Sequence, residues 1–96
     1  MRQLSGSLVM VTALLVGLPT IALAANVSAN CGSAGGAFYT HGTADNWQDH
    51  VHDGILWHVW YYGSQFQSHQ WGFETGVETG TVNGPNLFAP GARCIT

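Results

Sequence analysis

The chain has 96 residues, 46% of them hydrophobic and only 7% charged, with two cysteines, five histidines and no lysine. That size allows one small domain. Two arginines against five acids give a net charge of −3, which leaves no basic footprint for phosphate backbones or anionic headgroups and excludes nucleic-acid binding and cationic membrane lysis as expectations.

In chain order, Arg2 precedes the apolar stretch Leu8–Val16, which then meets Gly17, Pro19 and the small-residue run Ala22-Leu-Ala-Ala25. This reads as a secretory signal peptide over residues 1–24, cleaved after Ala24, and it predicts a secreted protein. A membrane anchor needs about 20 uninterrupted apolar residues, and Gly17, Pro19 and Thr20 interrupt this stretch, so no stable span is expected after cleavage. Asn30 before Cys31 does not suit a lipidated cysteine. Without residues 1–24, five acids face the single base Arg93, a net charge of −4.

Residues 25–36 are rich in Ala, Gly, Ser and Asn and read as a flexible N-terminal segment, which leaves residues 37–96 as the folded domain. So short a domain buries a modest share of its surface and calls for a covalent constraint. In an oxidising compartment Cys31 and Cys94 supply it as one disulfide, worth about 4 kcal/mol in the loop-entropy account.

Thr43–His50 offers a capping residue and a Trp47-to-Val51 spacing that would suit one or two helical turns before Gly54. Beyond it, Ile55–Tyr62 and Gln65–Phe73 are two β-rich runs flanking Gly63-Ser64, the pattern of a hairpin with a type II′ turn. That turn would pair Tyr62 with Gln65, Trp60 with Gln67, His58 with His69 and Leu56 with Trp71. Tyr62, Trp60, His58, His69 and Trp71 would then share one face, with Tyr61, Val59, Trp57 and Phe66 opposite. Gly76–Val82 reads as a further strand, Asn83-Gly84-Pro85 as a turn, and Ala92–Ile95 as a last strand. The fold class is all-β, a small antiparallel β-sandwich with one disulfide.

Chemistry-bearing residues are few. His50-Val-His52 on a strand would place two imidazoles on one face about 6.5 to 7 Å apart, and the expected His58–His69 pair would add ligands, so zinc or copper held by His50, His52, His58 and His69 is one reading. Histidines hydrogen-bonded to one another and to Asp49 or Asp53 are the other. Glu74 and Glu78 on one strand would stand about 13 Å apart, beyond the roughly 5 to 9.5 Å of glycosidase pairs. No nucleophile elbow or phosphate-cradling glycine loop occurs, and no cofactor or enzymatic activity is expected. Four tryptophans and three tyrosines exceed what so small a core encloses, so aromatic rings should reach the surface as binding anchors. Trp57, His58, Trp60, Tyr61, Tyr62, His69 and Trp71 are the candidate binding residues.

Three stretches resemble the lactococcin 972 family of small secreted bacteriocins: Gly35-Gly-Ala-Phe-Tyr-Thr-His-Gly42, then Val59-Trp-Tyr-Tyr62 followed by His69, then Ala89-Pro-Gly-Ala-Arg-Cys94. The resemblance implies a β-sandwich that binds a cell-envelope component such as a wall precursor and interferes with septum formation in competing bacteria. The chain departs from that pattern in lacking an aromatic C-terminal ending and basic residues, and in its histidine- and aspartate-rich residues 45–58. The alternative reading is a secreted structural or wall-associated binding module.

Overall fold

A computed structural model describes residues 22–96. The expected signal peptide lies outside the described residues except for Ala22, Leu23 and Ala24, which open the first strand. Five strands follow in order: β1 Ala22–Asn30, β2 Gly36–His52, β3 Ile55–Glu74, β4 Val77–Pro85 and β5 Phe88–Ile95. Every pairing is antiparallel.

The organising element is one long hairpin. Asp53 and Gly54 link β2 to β3, and both carry positive φ, 51° and 75°, as a two-residue type I′ turn requires. Pairing runs from His52 opposite Ile55 to Gly36 opposite Glu74. Midway the ladder is interrupted: Asp45 faces Ser64 and Trp47 faces Trp60, so Asn46 alone stands opposite Tyr61, Tyr62 and Gly63. Asn46 and Gly63 both adopt left-handed backbone, φ 72° and 70°, and the Gly63 N–H donates to Asn46 Oδ1 at 3.0 Å. An irregularity of this kind bends a ribbon sharply.

The consequence is a hairpin folded in half. Phe38 meets His52 with ring centroids 4.8 Å apart, Thr40 Oγ1 lies 2.6 Å from His50 Nδ1, and Gln48 Nε2 donates to the Gly42 carbonyl at 3.0 Å. All three pairs are symmetric about Asp45. On β3, Trp57 and His69 stack with centroids 4.5 Å apart, symmetric about Gly63. One layer therefore holds the first half of β2 between the second half of β3 and β5; the other holds the second half of β2 between the first half of β3 and β4, with β1 outside β4. The Cys31–Cys94 disulfide ties the end of β1 to β5 across a sequence separation of 63, joining the two layers. The fold is thus an all-β antiparallel sandwich with one disulfide.

Between the layers lie Val27, Phe38, Ala44 and Val82, together with the buried polar side chains Thr40, Gln48, His50 and His52. Polar groups are tolerated there because they satisfy one another. Trp71 Nε1–H donates to Thr40 Oγ1 at 3.0 Å, the Thr40 hydroxyl donates to His50 Nδ1, and His50 Nε2–H donates to Gln48 Oε1 at 2.8 Å. The Gln48 amide donates in turn to Gly42 O, Tyr61 Oη and Gln65 O at 3.0 to 3.2 Å, and the Tyr61 hydroxyl to Ala44 O at 2.9 Å.

Several sequence expectations are corrected. Thr43–His50 is strand, not helix, because the β2–β3 ladder runs through it. Gly63-Ser64 is not a hairpin turn; β3 continues through it, and Gly63 serves the bend. Ala25–Asn30, read as flexible, pairs with β4 from Asn30 opposite Val77 onward. Asn83-Gly84-Pro85 belongs to β4, and the turn follows at Asn86-Leu87.

Candidate functional site

A two-residue turn at Gly63-Ser64 would have exchanged odd and even positions between faces; a continuous strand keeps them. Odd-numbered Trp57, Tyr61, His69 and Trp71 consequently face inward and are half-buried, while even-numbered His58, Trp60 and Tyr62 face outward. The seven candidate binding residues form two sets, not one surface.

The inward set continues the core. Trp57 stacks on His69 and meets His50 edge-on at 5.1 Å; His69 meets Trp71 at 4.6 Å, and Trp71 meets His52 at 5.5 Å. Burial lowers the His69 pKa. Burial also raises that of Tyr61, against the hydrogen bond from Gln48 and with the charge of Asp45.

The outward set is different. Trp47 and Trp60 are cross-strand partners, as are Asp49 and His58. Trp47 stacks on His58 with centroids 5.9 Å apart, and His58 meets Trp60 edge-on at 4.6 Å. His58 Nδ1–H donates to Asp49 Oδ1, which fixes the imidazole within this row. Trp60 is 72% exposed and Tyr62, at the bend, 94%. In the same layer, towards β4 and β1, a pocket of 490 Å³ is lined by Asn26, Ser28, His52, Asp53, Thr79 and Thr81 together with Val27, Val51 and Gly80. The aromatic platform and a groove of mixed polar and apolar lining thus share one layer. Arg93, the only Lys or Arg among the described residues, stands elsewhere, its guanidinium 5.1 Å from the centre of the Tyr39 ring.

His50, His52, His58 and His69 do not converge on a metal. Both His50 nitrogens are used within the core, His58 lies on the opposite face, and His69 stacks on Trp57. Desolvation, with the like charges of His69 and His41, pushes the His50 pKa down to about 4 against the Asp49 charge and the Thr40 hydrogen bond. His41 is lowered by burial and by Arg93.

Sequence reasoning missed a different cluster. Glu74 and Glu78 are not on one strand: the Thr75-Gly76 turn separates β3 from β4, and both carboxylates reach the imidazole of His52. His52 Nε2 lies 3.2 Å from Glu74, 3.6 Å from Glu78 and 3.5 Å from Asp53. Its Nδ1–H donates to Thr79 O at 2.7 Å. Burial works to lower the His52 pKa, but the Thr79 and Glu74 hydrogen bonds and the Asp53 and Glu74 charges outweigh it and raise it. The Glu-x-Gly-x-Glu spacing, with a glycine at its centre, was the available sign of a turn.

Comparison with protein-family models, with curated proteins and with solved structures gives no match.

Proposed function

We propose that this is a secreted, non-enzymatic, bacteriocin-like antibacterial protein that binds a glycan-bearing component of the cell envelope, such as a wall precursor, through the outer face of the β1–β4–β2–β3 layer. The observation that carries the reading is the Trp47–His58–Trp60 row in the same layer as the groove that Asn26, Ser28, Thr79 and Thr81 help to line. Sugar rings stack on exposed aromatics and hydrogen-bond to amides and hydroxyls, and neither contact needs a cation. A chain with five acids and no lysine suits a neutral saccharide far better than an anionic lipid headgroup. The likeness to the lactococcin 972 family supports the antibacterial part of the reading, as does a disulfide suited to an oxidising compartment. Cleavage after Ala24 would leave Ala25–Asn30 to pair with β4.

The test is co-sedimentation of the oxidised protein with purified bacterial sacculi, run beside a growth-inhibition spot assay on related strains. Binding and inhibition that both fall at least tenfold in Trp60→Ala support the proposal. Absence of sedimentation and inhibition together would defeat it, and sedimentation without inhibition would leave a wall-associated module in its place.

A further inference from the structure

The second cluster carries a proposal that does not rest on the envelope reading, although His52 and Asp53 also line the groove. We propose that His52, Asp53, Glu74 and Glu78 form a four-ligand site for a divalent transition ion of the zinc class.

The imidazole is oriented as a metal ligand. A carbonyl only accepts, so the 2.7 Å contact to Thr79 O keeps a proton on Nδ1 and turns Nε2 towards the three carboxylates, where metal binding would displace the proton that Nε2 otherwise donates to Glu74. This is the arrangement that orients metal-bound histidines, in which one ring nitrogen donates to a backbone carbonyl and the other binds the ion. His52 is only 5% exposed, and every group facing its Nε2 is an acceptor, so that edge of the ring calls for a positive charge, supplied either by an imidazolium proton shared with Glu74 at 3.2 Å or by a cation in its place. Three of the chain's five acids meet here, and the sole Lys or Arg among the described residues is engaged at Tyr39.

The spacing about the imidazole approaches that of the ion. Zinc binds nitrogen and oxygen at about 2.0 to 2.2 Å, so the ligand atoms of a tetrahedron lie about 3.4 Å apart. The three distances from Nε2, 3.2, 3.5 and 3.6 Å, are close to that edge; the four ligand atoms span up to 4.8 Å, so the carboxylates would close in around a bound ion by about 1 Å. Calcium takes six to eight oxygen ligands, and a square-planar copper(II) site is not matched by three near-equal distances from one vertex. Imidazole with carboxylates suits zinc, and four protein ligands give the closed coordination of a structural site.

The ligands also lie where an ion would matter mechanically. His52 and Asp53 sit at the tip of the folded hairpin, Glu74 at the end of β3 in the other layer, and Glu78 at the start of β4. A bound ion would pin the hairpin tip to the end of its own second strand.

The oxidised protein, stripped with chelator and dialysed, is titrated with zinc chloride by calorimetry at pH 7.5. One strong site is expected, with a rise in Tm of about 10 °C at a zinc concentration a hundredfold above Kd. Affinity should fall at least tenfold in Glu78→Gln and at least a hundredfold in Glu74→Gln/Glu78→Gln, and it should be unchanged in His58→Ala. These glutamine variants are isosteric and sit at partly exposed positions, and circular dichroism verifies their folding. Cobalt(II) supplies a second readout, since a tetrahedral site gives strong visible absorption that the double variant must lose. No heat on titration, or heat that survives the double glutamine variant or vanishes in His58→Ala, overturns the assignment.

Discussion

Thr40 and His50, ten residues apart on one strand, meet across the two layers at 2.6 Å. The contact exists because β2 folds back at Asn46, and it determines the tautomer of the imidazole: Nδ1 accepts from the threonine, whose oxygen accepts from Trp71. Thr40→Val should strand both the imidazole nitrogen and the indole N–H, at a cost of about 2 kcal/mol. Urea denaturation measures it; a change below about 0.5 kcal/mol would mean that the chain of bonds contributes little.

Stability should fall on mild acidification. His50 titrates at about 4 when folded and near 6.5 when unfolded, so its penalty is absent above 6.5 and grows as pH drops towards 4, reaching about 3 kcal/mol. His41 and His69, also lowered, act in the same direction. His52, which is raised, has the opposite sign: its contribution is complete below 6.5 and is lost as pH rises through the folded value, so it does not change across the lower window. Urea midpoints at pH 7 and pH 4.5, with chelator present, check this. His50→Gln should show a loss less than half that of the parent protein, and an equal loss would place the acid sensitivity elsewhere.

The bend makes its own prediction. Asn46 holds left-handed backbone at φ 72° and accepts from Gly63 N–H. Valine at this position adds the strain of a β-branched residue in that region and removes the acceptor, at a combined cost of about 2 to 3 kcal/mol. Thermal unfolding of Asn46→Val that matches the parent would argue against a sharp fold at this point.

Replacing Cys31 and Cys94 by serine frees a loop closed over 63 residues of separation, and the loop-entropy account gives a loss of about 4 kcal/mol. Guanidinium denaturation of the serine pair tests whether the link between layers is that important; a loss under about 1 kcal/mol would show the sandwich holding without it.

The strand-rich class and the disulfide were legible from glycine density, β-branched and aromatic runs, and two cysteines near the ends of the domain. The topology was not, because two dipeptides with positive-φ preference competed for one turn. Asp53-Gly54 is the stronger type I′ pattern, but the capping residues and Trp47–Val51 spacing beside it resemble a helix start and drew the turn to Gly63-Ser64. Glycine at a bulge and glycine at a turn answer the same backbone requirement, and local sequence does not separate them. That one displacement reversed face parity for His69 and Trp71, and reading Glu74–Glu78 as one strand hid their approach to His52. Fold-back contacts such as Phe38 with His52 depend on where the ribbon bends, which no local pattern encodes.

The paired substitutions Trp60→Ala and Trp57→Ala test the division of aromatics between faces most directly. Trp60 is outward and 72% exposed, so its removal should leave the unfolding free energy within about 0.5 kcal/mol of the parent while sacculus binding drops at least tenfold. Trp57 packs between His50 and His69, so its removal should cost about 3 kcal/mol. The opposite pattern, with Trp60→Ala unstable and Trp57→Ala folded but unable to bind, would contradict the account.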